Sequence, residues 1–172
     1  MLIDIFKILL RFIVLVLVQV TLLNNIQLSG LVNPYLYVMF ILVLPFNMPK
    51  MVVMVFAMIT GVVVGVFTNT AGLHAAACIT LAFVRPGVLK LLSPREGYEA
   101  ETSPTIRDMG FRWFIIYSAI LVFIHHLVLF FLEVFRFNEV AVTFTRVIFS
   151  SFFTLLLIVI SQYLFSKTRA ER

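Results

Sequence analysis

Six apolar stretches divide this chain, and the basic residues between them fall almost entirely in alternate connections. That alternation constrains the fold more than any motif, because segments that cross a bilayer keep Lys and Arg on the cytoplasmic side. Reading from an inside N-terminus, Lys7 and Arg11 come first, then Lys50. Arg85, Lys90, Arg95, Arg107 and Arg112 follow, and Lys167, Arg169 and Arg172 close the chain. The connections on the other side contribute only Arg136 and Arg146. Eleven of the thirteen basic side chains therefore share one side, which sets an orientation with both termini in the cytoplasm. The expected protein is an all-α, polytopic integral membrane bundle of about six transmembrane helices, a single domain over residues 1–172.

Composition supports this reading and excludes others. Hydrophobic residues make up 62% and charged residues 12%, against about 45–50% and 25% in soluble domains. A soluble domain of this length has too little interior to hide so much apolar surface, so lipid must cover the rest. The formal charge of +5 sits at span ends, where it sets topology and meets anionic lipid headgroups rather than nucleic acid. Cys78, the single cysteine, can form neither an internal disulfide nor a thiolate metal cage and reads as a small packing residue. Lys7 and Arg11 before the apolar run 12–23 resemble a signal peptide, but no clear small-x-small cleavage site follows, so a retained first span is expected.

Spans are expected near 8–23, 35–46, 51–67, 73–92, 113–132 and 144–165, with a cytoplasmic linker at 93–112. The second is short, because a helix needs roughly 20 residues to traverse the hydrocarbon core. Flanking residues, a thinned bilayer or a re-entrant arrangement would complete it. Pro45 and Pro49 bracket its inner end and push the residues before them away from helix. Arg85–Pro86 marks the inner boundary of the fourth span, and Arg112 the re-entry of the fifth. There Trp113 and Tyr117 suit the headgroup level, where amphipathic rings gather.

Ala57, Gly61 and Gly65 recur every four residues and line one helix face. Small residues let helix backbones approach closely within lipid, either inside the bundle or at a partner's helix. Gln19, His125 and His126 lie within apolar segments, and polar groups at that depth are functional candidates by default. Adjacent histidines point about 100° apart on a helix, so they make no natural chelating pair and read as hydrogen-bonded, neutral side chains. His74, at a span end, can reach water or cap a turn. The sequence holds no paired buried acids, no nucleophile with a base at sensible spacing and no phosphate-cradling glycine loop. Neither enzyme activity nor a cofactor or metal is expected.

The stretch 61–86, GVVVGVFTNTAGLHAAACITLAFVRP, resembles the central segment of the rod shape-determining membrane protein MreD family, in the form found in Bacteroidetes. After a glycine-rich span, the residues that carry the likeness are Asn69, Thr70, Gly72, Leu73, His74, Ala75, Ala77, Arg85 and Pro86. Length, small loops and the short second segment match that family in layout. The family usually carries an Asp shortly after the glycine of the third span. Here Gly65 and Asn69 stand four residues past Gly61 and Gly65 in turn, so no role of that carboxylate carries over.

What the resemblance implies is a non-enzymatic scaffold subunit of the rod complex, or elongasome, in the cell inner membrane. It would support cell shape and lateral peptidoglycan synthesis. Its implied partners are MreC most directly, and the wall-elongation transpeptidase, RodA and MreB directly or through it. The implied fold is similar to the S-subunits of energy-coupling-factor transporters, which leaves a vitamin-binding transporter subunit as the alternative. Such a protein would need an outward pocket to which Gln19, Asn24, His74 and His125 could contribute. It usually also carries small-residue faces on its first span, and residues 12–23 have none.

Overall fold

The computed structural model describes residues 2–25, 32–99, 102–134 and 140–165. Its helices are α1 Leu2–Thr21, α2 Val38–Leu42, α3 Lys50–Phe67, α4 Ala71–Leu91, α5 Ile106–Met109, α6 Phe111–Val134 and α7 Val140–Phe165. Five of them (α1, α3, α4, α6 and α7) are long and apolar enough to cross a membrane. All five satisfy their own backbone groups internally, as lipid requires. The basic residues Arg136, Lys167, Arg169 and Arg172 lie outside the described residues.

The expectation of six spanning helices is corrected here. In the segment 35–46 only Val38–Leu42 is helical. Twelve helical residues would cover about 18 Å of a hydrocarbon core about 30 Å thick, so a more extended backbone reaches further. Pro34 and Pro45 enforce that at the two ends. The segment also has no lipid-facing side: Tyr37, Val38, Ile41 and Leu42 are each 0% exposed.

Around it, α3, α4, α6 and α7 pack in chain order, each mainly against the next. α1 is the least enclosed crossing: 17% of its apolar window is buried, against 50% for α4. It leans chiefly on α3 and α2. The α3–α4 hairpin is closed by a left-handed C-cap. Asn69 has φ 57°, Thr70 N–H donates to the Gly65 carbonyl at 2.8 Å, and Asn69 N–H donates to that of Val66 at 3.4 Å. This bond pair is the Schellman motif, and asparagine stands where glycine is commonest.

Glycine is required where the hairpin's two helices touch. A Cβ on Gly61 would lie 2.5 Å from Ala75 Cα and 2.6 Å from the His74 carbonyl oxygen. Ala57, Gly61 and Gly65 are all buried on this face, and Gly61 meets α4 of its own chain rather than lipid.

α4 reaches close to the expected end of the fourth span at 92, but Arg85–Pro86 does not mark its emergence from the bundle. It continues through Pro86 to Leu91, and Arg85 is 2% exposed, turned into the bundle. Tyr117, expected at headgroup level, is likewise fully buried. The linker folds back on the bundle. Tyr98 stacks on Phe46 with ring centroids 4.2 Å apart, its hydroxyl donates to the Leu89 carbonyl at 2.7 Å, and Trp113 Nε1 donates to that of Leu92 at 3.0 Å. Arg112 remains exposed at the start of α6.

Candidate functional site

The site is built around the irregular segment 33–44. Backbone that leaves helical geometry within a bilayer exposes N–H and C=O groups, each costing several kcal/mol unless protein supplies partners. Here side chains from four helices supply them. Near one end of the bundle, Ser150 Oγ accepts from Asn33 N–H at 3.0 Å and Thr154 Oγ1 from Tyr35 N–H at 3.0 Å. Gln19 Nε2 donates to the Pro34 carbonyl at 3.1 Å and to Asn24 Oδ1 at 2.9 Å. Its Oε1 accepts from Tyr37 N–H at 3.4 Å. Near the other end, Tyr117 donates to the Leu42 carbonyl at 2.9 Å, Arg11 to that of Val43 at 3.4 Å, and Arg85 Nη2 to that of Leu44. Arg85 Nε also donates to Tyr117 Oη at 2.9 Å.

These contacts fix the direction of the segment. It passes Gln19 and then Arg11, so it runs antiparallel to α1. It passes His74 before Arg85, so it runs with α4 through the bundle interior.

Three histidines gather beside its first half. Tyr37 Oη lies 2.8 Å from His74 Nδ1 and 2.9 Å from His125 Nε2, so one phenol bridges two imidazoles. A phenol has one proton, so one histidine must donate to it while the other accepts. His125 Nδ1 has no partner, and a buried N–H without a partner is rarer than a bare lone pair. The favoured arrangement is therefore His125 Nε2–H to Tyr37, and Tyr37 O–H to His74. His126 is fixed independently. Its Nδ1 lies 2.8 Å from the Val122 carbonyl and must donate, so its Nε2 accepts from Thr154 Oγ1 at 3.1 Å. Tyr35 packs edge-on against His74 with centroids 5.2 Å apart and lies 5.5 Å from His126.

Above this cluster lies a cavity of about 180 Å³, lined in part by Asn24, Asn33, Tyr35, Thr70, His74 and Glu133. Glu133 forms an ion pair with Arg146 at 3.3 Å at its rim. The structure thus brings Gln19, His74, His125 and His126 to one region, with the turn residues Asn69, Thr70, Gly72 and Leu73 at its edge. Ala57, Gly61 and Gly65 stand apart in the hairpin interface, and Arg85, Pro86 and Arg112 belong to the other end. His74 does not cap its turn: it is 3% exposed and bonded to Tyr37. Cys78 is buried, its Sγ 3.9 Å from His125 Nε2. Among the described residues, no three His, Cys, Asp or Glu side chains are placed to hold a metal ion.

Sequence reasoning missed Tyr35, Tyr37, Ser150 and Thr154. The signal was available for the last two, since Thr143, Val147, Ser150, Thr154, Ile158 and Ser161 recur at three and four residues and form the buried stripe of α7. Tyr117 and Arg85 were singled out, but for the surface.

Fold and interior together define a helical protein with the signature of a membrane protein, in which long apolar helices enclose an irregular segment held by side chains. No family model, curated protein or solved structure matches the chain.

Proposed function

We propose that this chain is a non-enzymatic scaffold subunit of the rod complex, of the MreD kind, holding wall-elongation proteins together within the cell inner membrane. The observation that carries the reading is how the residues of the MreD-like stretch are used. Gly61 seats α4, Asn69 closes the hairpin, His74 accepts from Tyr37, and Arg85 holds the Leu44 carbonyl. All of them serve to pack α3 against α4 or to hold the segment 33–44, so the resemblance is to a structural core. An interior whose polar groups mostly partner one another leaves the outer helix faces and the connections to do the work.

α1 offers the most accessible face. Ile5, Phe6, Leu9, Ile13 and Leu17 are all exposed along it, and it is the helix held least by the rest of the bundle. MreC, which crosses the membrane once, is the partner this face suits, with the wall-elongation transpeptidase, RodA and MreB joined directly or through it. The vitamin-binding alternative draws support from the cavity above the histidines. At about 180 Å³ that space is below the roughly 300 Å³ at which small-molecule pockets begin, which favours the scaffold.

The test is affinity purification from mild-detergent membranes with mass spectrometry of the eluate, repeated with Leu9→Arg and Ile13→Arg on α1. Recovery of MreC and elongation proteins, lost in the α1 variants, supports the proposal. Recovery of a transporter's energising module in their place overturns it.

A further inference from the structure

His74 has a second ring nitrogen that the Tyr37 bridge does not use. The phenol donates to Nδ1, so the neutral ring carries its own proton on Nε2. No described residue bonds to that N–H, and it is not sealed off as His125 Nδ1 is. His74 is 3% exposed and lines the cavity of about 180 Å³, so its remaining N–H belongs to the cavity floor. Tyr35 lines the same space, and its hydroxyl also bonds to no described residue. The one charged group on the lining, among the described residues, is Glu133. Both of its carboxylate oxygens accept from Arg146 Nη2, at 3.3 and 3.4 Å. Its charge is thereby compensated while lone pairs remain. Leu23, Leu73 and Leu129 add apolar wall.

These groups specify an occupant. A buried N–H on the floor calls for an acceptor, and the carboxylate at the rim calls for a donor. A lining without uncompensated charge calls for a neutral group, because an ion would lose hydration there without gaining a counter-ion. We propose that this cavity binds a primary carboxamide on a short aliphatic stem, its oxygen on His74 Nε2–H and its NH₂ toward Glu133. A carboxamide places its acceptor and its donors on separate atoms. A carboxylate only accepts, and an ammonium only donates. The space equals about six water volumes of roughly 30 Å³ each, room for such a group and its stem. The same chemistry is presented by a free small amide and by the end of an asparagine or glutamine side chain. The inference does not depend on the scaffold reading, since it rests on the cavity lining alone.

The experiment is a titration of the full chain in lipid nanodiscs, with nitrogen-15 labelled histidine observed by NMR. The probes are butyramide, butyrate and butylamine, which share a stem and differ in the group at its end. Butyramide is expected to shift the His74 Nε2 signal, with half-saturation on the order of 1–10 mM for so small a ligand. His126, bonded to Val122 and Thr154, should not move. Butyrate and butylamine should bind at least about tenfold more weakly. Leu23→Trp, which fills the space without removing a polar group, should abolish the shift and leave the amide-free His74 signal as it was. Glu133→Gln leaves Arg146 uncompensated and should turn the preference toward butyrate. No His74 shift with butyramide, or an equal shift with butyrate, overturns the proposal. So does a butyramide shift that survives Leu23→Trp, or an unchanged preference in Glu133→Gln. A benzophenone carried on Leu23→Cys and irradiated in native membranes separates the two sources. Crosslinking to an asparagine- or glutamine-bearing segment of a second polypeptide assigns the amide to that side chain. A butyramide-dependent shift without such a crosslink assigns it to a free solute.

Discussion

Arg85 and Tyr117 act as one unit: the guanidinium donates to the phenol oxygen at 2.9 Å, and the phenol O–H in turn donates to the Leu42 carbonyl at 2.9 Å. With the second guanidinium nitrogen on the Leu44 carbonyl, two side chains satisfy backbone acceptors two residues apart. Both residues read from sequence as markers of the membrane surface, yet both are buried.

Tyr117→Phe removes the shared hydroxyl while preserving the ring. It leaves the Leu42 carbonyl without its donor and Arg85 Nε without its acceptor, so a loss of about 1–3 kcal/mol is expected. Thermal unfolding in detergent, compared with the unaltered chain, measures it.

Gly61→Ala and Gly72→Ala should behave oppositely. At Gly61 the new methyl meets α4 backbone, which cannot rotate away, so the hairpin must separate at a cost of about 1–3 kcal/mol. At Gly72 nothing lies within 4 Å of the added carbon, and the greater helix propensity of alanine should leave stability unchanged or raise it by up to about 1 kcal/mol. The same unfolding measurement on the pair gives the signs.

The hydrogen-bond pattern assigns opposite tautomers to neighbouring histidines. His126 carries its proton on Nδ1 and His125 carries it on Nε2. Nitrogen-15 labelled histidine, recorded by NMR in lipid nanodiscs, distinguishes the two forms by chemical shift. Tyr37→Phe should alter the His74 and His125 signals and leave His126 unchanged, since His126 bonds only Val122 and Thr154. Identical tautomers at 125 and 126 would contradict the arrangement.

The long helices were legible because hydropathy and length dominate in a bilayer. The expected spans 51–67 and 73–92 lie against α3 Lys50–Phe67 and α4 Ala71–Leu91. The segment 35–46 was not legible as it stands. Twelve apolar residues look the same whether they face lipid or are wrapped by protein, and only the flanking prolines hinted at a broken backbone. Arg85 failed for a related reason. A cation beside a proline reads as a helix end, and nothing local reveals that carbonyls forty residues earlier in the chain await a donor. His125 and His126 were correctly read as pointing different ways on α6, but their partners lie on α2's flank and α7. Periodicity along one helix carries no information about the facing one.

The donors and acceptors that hold residues 33–44 also impose an order on biogenesis. Ser150 and Thr154 bond to Asn33 and Tyr35 across 117 and 119 residues of sequence. They emerge from the ribosome only when the last helix is nearly complete. Until then the Asn33 and Tyr35 N–H groups lack their acceptors, while Gln19, Arg11, Arg85 and Tyr117 serve the rest of the segment. The hydrogen bonding at the start of the second apolar stretch is therefore complete only once α7 has joined the bundle.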